Sequence, residues 1–259
     1  MTVVVITGST RGIGFGLAHE FARRGCMVVV SGRTAEKSAQ AAALLAAEFD
    51  ANRVLGFACE VSAFGQVQAL WDAAVARFGR VDIWINNAGI SHPPAGVDRI
   101  EPEAMRAIVA TNVLGAVNGA AVALRGMRAQ GSGAIYNLEG LGSDGRRMRG
   151  LALYGMTKRA LAYLTDSLAD EVKGSGIIAG AIRPGMVMTD LITSQYAGRE
   201  AEWRKVQRMF RIIASPVEEV VPWVAARVLA NRRNRARIQY GGMLRILGRM
   251  IAVTFGRKK

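Results

Sequence analysis

Continuous apolar, β-branched runs alternate along this chain with longer segments whose apolar positions recur every three or four residues. Val3–Thr7, Met27–Ser31, Val54–Cys59, Asp82–Asn86, Ala134–Leu138, Ile177–Ile182 and Arg237–Tyr240 read as strands. Gly14–Arg24, Ala35–Phe49 and Phe64–Phe78, rich in Ala, Leu and Arg, read as helices. The glycine-free stretch Lys158–Val172 carries Leu161, Leu164, Leu168 and Val172 at helical spacing. Uninterrupted apolar strands separated by helices predict a parallel sheet covered on both faces. No internal repeat, low-complexity tract or Pro/Ser-rich linker divides the chain. The expected fold is therefore α/β: one domain over residues 1–259, built on a single doubly wound parallel sheet. No run approaches the roughly 18–20 uncharged apolar residues of a spanning helix. The first strand-like run begins at Thr2, which leaves no room for a signal or transit peptide. A soluble, cytoplasmic protein is expected.

Charge changes this picture at one end. The 259 residues include 34 Lys or Arg and 20 Asp or Glu, a net charge of +14. Residues 220–259 hold ten of the basic side chains and no acidic one. Within the basic segment 241–259, Leu244, Leu247, Met250, Ile251 and Phe255 recur at helical spacing. Arg245 and Arg249 occupy another face, and Arg257-Lys258-Lys259 follow. Such a segment either lies peripherally in a membrane interface or packs on the chain or a neighbouring subunit. No nucleic-acid module or aromatic platform accompanies the charge, so nucleic acid is not an expected partner. With two cysteines, Cys26 and Cys59, and two histidines, His19 and His92, no disulfide framework, His-based metal site or Ser-His-Asp triad is expected.

Candidate chemistry begins after the first strand, at Gly8-Ser9-Thr10-Arg11-Gly12-Ile13-Gly14, ahead of a helix expected to open at Phe15. A glycine-rich turn between strand and helix lets the backbone approach a pyrophosphate at the positive helix end. The second strand leads to Ser31-Gly32-Arg33-Thr34, without the acidic residue that reads a ribose 2′-hydroxyl. Arg33 can pair with a 2′-phosphate, and Arg11 adds a second positive charge. Two solvated surface arginines are the alternative. Together they favour NADP(H) over NAD(H).

Further motifs follow in order: Thr7-Gly8-x-x-x-Gly12-x-Gly14, Asn86-Asn87-Ala88-Gly89, Asn112, Tyr154-x-x-x-Lys158 and Pro184-Gly185-x-x-x-Thr189. In this order they resemble the short-chain dehydrogenase/reductase family over essentially the whole chain. Tyr154 and Lys158, four apart on a helix, share one face. An ammonium beside a phenol favours phenolate and lowers its pKa, so that Tyr154 can exchange a proton with a carbonyl or alcohol oxygen. The resemblance implies a Rossmann fold and a homodimer or homotetramer. It also implies that Lys158 holds the nicotinamide ribose and that Asn112 supports a water-linked proton relay. Glu60 and Val61 would lie near the adenine, and Asn87, Ala88 and Gly89 would line the cofactor channel. Val187 and Thr189 would hold the carboxamide, with Pro184 and Gly185 shaping that wall.

One departure stands out. Where the family carries a catalytic serine, this chain has Gly140 or Leu141. Ser143 is the nearest hydroxyl; a backbone amide or Asp144 are alternatives. The string Asn137-Leu138-Glu139-Gly140-Leu141-Gly142-Ser143-Asp144-Gly145-Arg146, with Tyr154-Gly155-Met156-Thr157-Lys158, resembles the chlorophyll b reductase branch of the family. That resemblance implies NADPH-dependent reduction of the 7-formyl group of chlorophyll b, or a related tetrapyrrole, to hydroxymethyl. A reductase of small ketones, sterols or acyl thioesters is the alternative enzyme; a cofactor-sensing or scaffold protein is the alternative outside catalysis. Arg146, Arg147 and Arg149 read as receivers of carboxylate or ester groups at a substrate mouth, or as solvated loop charges. Residues 190–216 read as a substrate lid, with Trp203, Met209, Phe210, Ile212 and Ile213 covering an apolar ligand or packing on the core.

Overall fold

The computed structural model describes residues 1–241. Its seven strands are β1 Val3–Ile6, β2 Met27–Gly32, β3 Val54–Ala58, β4 Ile83–Asn86, β5 Gly133–Leu138, β6 Ile177–Arg183 and β7 Arg237–Gln239. All pair in parallel, in the order β3-β2-β1-β4-β5-β6-β7. Each falls on a predicted apolar run. The connecting helices are α1 Gly12–Arg23, α2 Ala35–Glu48, α3 Phe64–Phe78, α4 Pro102–Val109 and α5 Gly115–Gln130. They continue with α6 Ala152–Glu171, α7 Asp190–Thr193, α8 Glu200–Ile213 and α9 Val217–Ala230. The basic amphipathic segment expected beyond Gly241 lies outside the described residues.

Neighbouring residues of the inner strands bury on opposite faces, which is why those runs are apolar, while edge strand β7 buries only Ile238. Val4 and Ile6 of β1 join Leu17 and Phe21 of α1, Leu45 of α2 and Val224 of α9. Val5 turns the other way, toward Leu70 and Trp71 of α3, Ala123 of α5 and Leu168 of α6. Each fully buried Val, Leu, Ile or Phe side chain contributes roughly 1.5–3 kcal/mol.

Two expectations need correction. Helix α1 opens at Gly12, not Phe15, because the Phe15 amide already donates to the Arg11 carbonyl at 3.2 Å. The chain also holds a longer uncharged stretch than expected: residues 107–124 carry no charge. They lie in the continuous helical run Pro102–Gln130, which is long and apolar enough by composition to cross a membrane. Its apolar face is used internally, however. Ala120, Ala123 and Met127 bury against α3 and the sheet, and Asn118 Nδ2 donates to the Val61 carbonyl at 2.9 Å. This is a core helix.

The strand order reverses between β1 and β4, each the start of one half of the sheet. Open α/β sheets present a ligand crevice at the carboxyl ends of strands where such a reversal occurs.

Candidate active site

The glycine loop sits over that reversal and is tied to both neighbouring strands. Ser9 exchanges backbone and side-chain bonds with Ser31 at the end of β2, and its Oγ donates to the Ile6 carbonyl at 2.6 Å. Asn87, after β4, donates from Nδ2 to the carbonyls of Thr7 and Gly8, both at 2.8 Å. Thr7 Oγ1 in turn accepts from the amides of Asn87 and Ala88 at 3.1 Å. The three glycines answer different needs. Gly8 and Gly12 adopt φ of +61° and +59°, where other residues are strained. Gly14 is required by contact: a Cβ there would stand 2.4 Å from Asn87 Nδ2 and 2.7 Å from the Gly8 carbonyl oxygen. Gly32 is small for the same reason, since its Cβ would meet Thr10 Cγ2 at 2.6 Å.

The first turn of α1 carries no side-chain cap and no acidic residue. Its amide donors and the positive helix end therefore face the crevice uncompensated, a cradle that fits the pyrophosphate of a dinucleotide. Arg33 is exposed at the end of β2, while the Arg11 guanidinium stands 3.6 Å from the Asp190 carboxylate. Ile13 packs its side chain on the core.

Across the mouth, the loop after β6 closes on the glycine loop. Thr189 Cγ2 lies 3.7 Å from where a Gly12 Cβ would be. Pro184 is buried, Gly185 turns at φ +73°, and Val187 is buried and bridged to Ser215. Glu60 uses Oε1 to accept from the Ser62 amide and hydroxyl, and Val61 packs its side chain where a Gly115 Cβ would be. These two side chains build the turn after β3.

Tyr154 and Lys158 lie together on α6, one turn apart, with Nζ 5.8 Å from the phenol ring centre. Lys158 is buried rather than solvated, and Nζ donates to the Leu138 carbonyl at the end of β5, 2.9 Å away. Asn112 occupies a single π-helical turn, Ala110–Leu114, between α4 and α5; such turns concentrate at functional sites. Its amide brackets the Ile90 backbone at 2.8 and 2.9 Å and donates to Thr157 Oγ1 at 3.1 Å. Gly89 lies between the two groups: a Cβ there would be 3.5 Å from Asn112 Oδ1 and 3.7 Å from Lys158 Nζ.

Gly140 is the residue of the turn after β5 that faces the phenol. A Cβ on it would stand 2.9 Å from Tyr154 Oη and 3.5 Å from Lys158 Cε. Ser143 is buried further along this turn, its amide on the Gly140 carbonyl and its own carbonyl accepting from Arg159. Among the described residues no hydrogen bond joins Ser143 to Tyr154. Tyr196, Trp203 and Phe210 of the 190–216 segment form an aromatic cluster with ring centres 5.4–6.3 Å apart. Met209 is instead exposed.

Sequence reasoning missed two features here. A buried polar ladder runs from Trp84 Nε1 through Asn86 and Asn137 to Thr165, holding β4, β5 and α6 in register. Beside it, Glu139 is buried and accepts from Arg183 Nε at 2.5 Å, while its Oε1 is buried without a partner. A carboxylate ending an otherwise apolar strand is the signal that could have found it.

Electrostatics correct a further expectation. Desolvation pushes the Tyr154 phenol up to about 12, rather than Lys158 drawing it down. Desolvation also lowers Lys158 to about 8, against the field of Glu139, which favours its charge. A phenol that stays protonated is the form that donates. The Lys158 shift has a stability consequence with a definite sign. Between pH 8 and 10.5 the unfolded chain holds a proton on Lys158 that the folded chain has released, so stability rises with pH across that window. Urea unfolding of the chain and of Lys158→Met over this range should show their stability difference shifting toward the lysine form by on the order of 3 kcal/mol. A flat difference would mean that Lys158 is not desolvated. The Tyr154 contribution is common to both proteins and cancels.

Comparisons with known proteins fit this geometry. The short chain dehydrogenase family model matches residues 2–200. Over 240 residues, 90% of this chain, the sequence is 36% identical to chlorophyll(ide) b reductase NOL, chloroplastic, of Oryza sativa subsp. japonica, covering 68% of that protein. The chain spans between 50% and 68% of the length of the chlorophyll(ide) b reductases it matches. Among solved structures it is similar to a 3-ketoacyl-(acyl-carrier-protein) reductase from Brucella melitensis complexed with NADH. That match has a TM-score of 0.80 and 28% identity, over 93% of this chain and 97% of the other. A gluconate 5-dehydrogenase from Burkholderia cenocepacia J2315, in complex with NADP and tartrate, matches with a TM-score of 0.76 and 29% identity. It covers 92% of this chain and 93% of the other. With the tyrosine–lysine pair, the glycine loop and the parallel sheet all in place, the chain belongs to the short chain dehydrogenase family, oxidoreductases that work with a nicotinamide cofactor.

Proposed function

We propose that this chain reduces the 7-formyl group of chlorophyll b, or of a related tetrapyrrole, to hydroxymethyl with NADPH. The observation that carries the reading is the 36% identity to a chlorophyll(ide) b reductase across 90% of the chain. Held in the cradle of the glycine loop and the first turn of α1, NADPH would supply the hydride for the formyl carbon. Tyr154 Oη donates the proton to the carbonyl oxygen as it becomes an alcohol, and the buried Lys158 ammonium steadies the phenolate left behind. Asn112 holds the Ile90 backbone and Thr157, and through them the floor on which a proton relay to Lys158 runs. Ser143, Asp144 or a backbone amide of the turn orients the carbonyl. Gly140 beside Tyr154 Oη supports a bulky substrate, because it removes a side chain from the place where the reacting group meets the phenol.

The proposed unit is one domain, residues 1–259, with the lid at 190–216 and the basic segment 241–259 making peripheral membrane contact from the cytoplasm. A homodimer or homotetramer is supported by apolar Leu114, Val117, Met156 and Tyr163, all exposed on or beside α5 and α6. Reduction of small ketones or acyl thioesters is the second reading, favoured by the likeness to a 3-ketoacyl reductase. NADPH oxidation measured with a formyl tetrapyrrole beside simple ketones separates the two.

NADPH preference rests on Arg33. Arg11 leans on Asp190, so Arg33 is the cation left to meet a 2′-phosphate. Arg33→Ala should weaken NADPH on the order of tenfold or more, as expected for loss of a charge-assisted hydrogen bond, and leave NADH nearly unchanged. Titration of both cofactors on the two proteins checks this; equal weakening would make Arg33 structural.

A further inference from the structure

The three arginines of the loop before α6 do not share one environment. Arg146 is paired to Asp144 at 2.9 Å. Arg149 makes no ion pair or hydrogen bond among the described residues, yet it lines a cavity of about 440 Å³. The opposite wall is the loop after β4, through Pro94, Ala95 and Gly96, with Arg99 beside them. The one acidic group in the lining, Asp98, is folded back over Gly96 and stands 3.7 Å from Arg99. The lining therefore has an excess of positive charge, with Arg149 uncommitted.

The two walls are fastened together. The Ala95 amide donates to the Gly150 carbonyl at 3.0 Å, and the Leu151 amide donates to the Met148 carbonyl at 3.1 Å, closing a turn around Arg149. Gly150 adopts φ +83°, and a Cβ on it would crowd the Ala95 nitrogen and Pro94 Cβ at 3.1 Å. Immediately after this turn α6 begins, with no side-chain cap and no acidic residue in its first turn. Its positive end adds to the field of Arg149. Both walls follow strands, β4 and β5, whose carboxyl ends carry Gly89 and Gly140 beside Lys158 and Tyr154. The cavity thus opens on the same side of the sheet as the reacting phenol.

We propose that this cavity is a carboxylate subsite in which Arg149 receives the free propionate arm of a tetrapyrrole acid while the formyl group, on the other side of the macrocycle, meets Tyr154. The inference rests on the reading of the preceding subsection and refines it: the preferred substrate is the free acid, not the long-chain ester. A guanidinium grips a carboxylate bidentately and offers an ester carbonyl far less.

The test uses the full chain and its Arg149→Gln variant, with one formyl tetrapyrrole supplied as the free acid and as its methyl ester. Equilibrium binding is followed by the change in tetrapyrrole absorbance, in parallel with NADPH-dependent turnover. The wild-type chain should bind the acid more tightly than the ester by on the order of ten- to a hundredfold. Arg149→Gln should remove that preference by raising KM for the acid, with kcat and the ester unchanged. Arg149 is exposed on a loop, and an unchanged unfolding midpoint will show that the variant folds. Equal binding of acid and ester by the wild type, or equal weakening of both by the variant, overturns the subsite. Turnover without acid preference overturns the subsite and keeps the reduction. Acid preference without turnover keeps the subsite and overturns the reduction.

Discussion

Tyr154→Phe is expected to lower turnover by on the order of 10²–10⁴-fold while leaving NADPH affinity nearly intact. The variant removes one hydroxyl and keeps the ring. Tyr154 Oη makes no hydrogen bond among the described residues, so its loss leaves no buried partner unsatisfied and should cost little stability. The ring face toward Lys158 is retained, as is the Lys158 bond to the Leu138 carbonyl. What disappears is the hydroxyl proton that the geometry places beside Gly140. Single-turnover NADPH oxidation together with cofactor titration checks both halves. Full activity in this variant would take Tyr154 out of the chemistry.

Gly14→Val should be as damaging by a different route. Its Cβ would arrive 2.4 Å from Asn87 Nδ2 and 2.7 Å from the Gly8 carbonyl oxygen. Asn87 would have to leave, and with it the two 2.8 Å bonds that hold the Thr7 and Gly8 carbonyls. Overpacking of this kind typically costs about 1–3 kcal/mol, and each lost hydrogen bond adds about 1 kcal/mol. The loop would lose the conformation that points its amides into the crevice, so NADPH affinity should fall by on the order of a hundredfold or more. Gly65 offers the control: it has open space around its Cα, and Gly65→Ala should be tolerated. Chemical unfolding and NADPH titration of the two variants compare them directly. Equal behaviour would mean that the Asn87 clamp does not shape the loop.

The inner strands were legible because they are buried on both faces, so that apolar content marks them; Val4 and Val5 point to opposite cores and both must be apolar, whereas edge strand β7 buries only Ile238, between exposed Arg237 and Gln239. The motif residues were legible by their order and position. What could not be read was the environment that decides their chemistry. Four-residue spacing puts Tyr154 and Lys158 on one face but says nothing of which face. That face is buried, and desolvation therefore outweighs the mutual effect of the pair. The pairing of Glu139 with Arg183 depends on β5 and β6 being neighbours, which only the strand order reveals. The uncharged 107–124 stretch carries two polar side chains, Asn112 and Asn118. Those asparagines are the groups that hydrogen-bond it into the core. Likewise the three loop arginines were one run in the sequence, and the fold separates an Arg146 paired to Asp144 from an Arg149 that has no ion pair among the described residues and lines a cavity.

Reduction of a tetrapyrrole formyl group is tested most directly by NADPH oxidation by the full chain with a formyl tetrapyrrole, beside simple ketones and a 3-ketoacyl thioester. One NADPH should be consumed per hydroxymethyl product formed, with kcat/KM for the tetrapyrrole well above that for the small carbonyls. The carbonyl has to reach Tyr154 past Gly140, where no side chain stands in the way of a large ring. Efficient turnover of the ketones or the thioester, with the tetrapyrrole left unreduced, would contradict the proposed reduction.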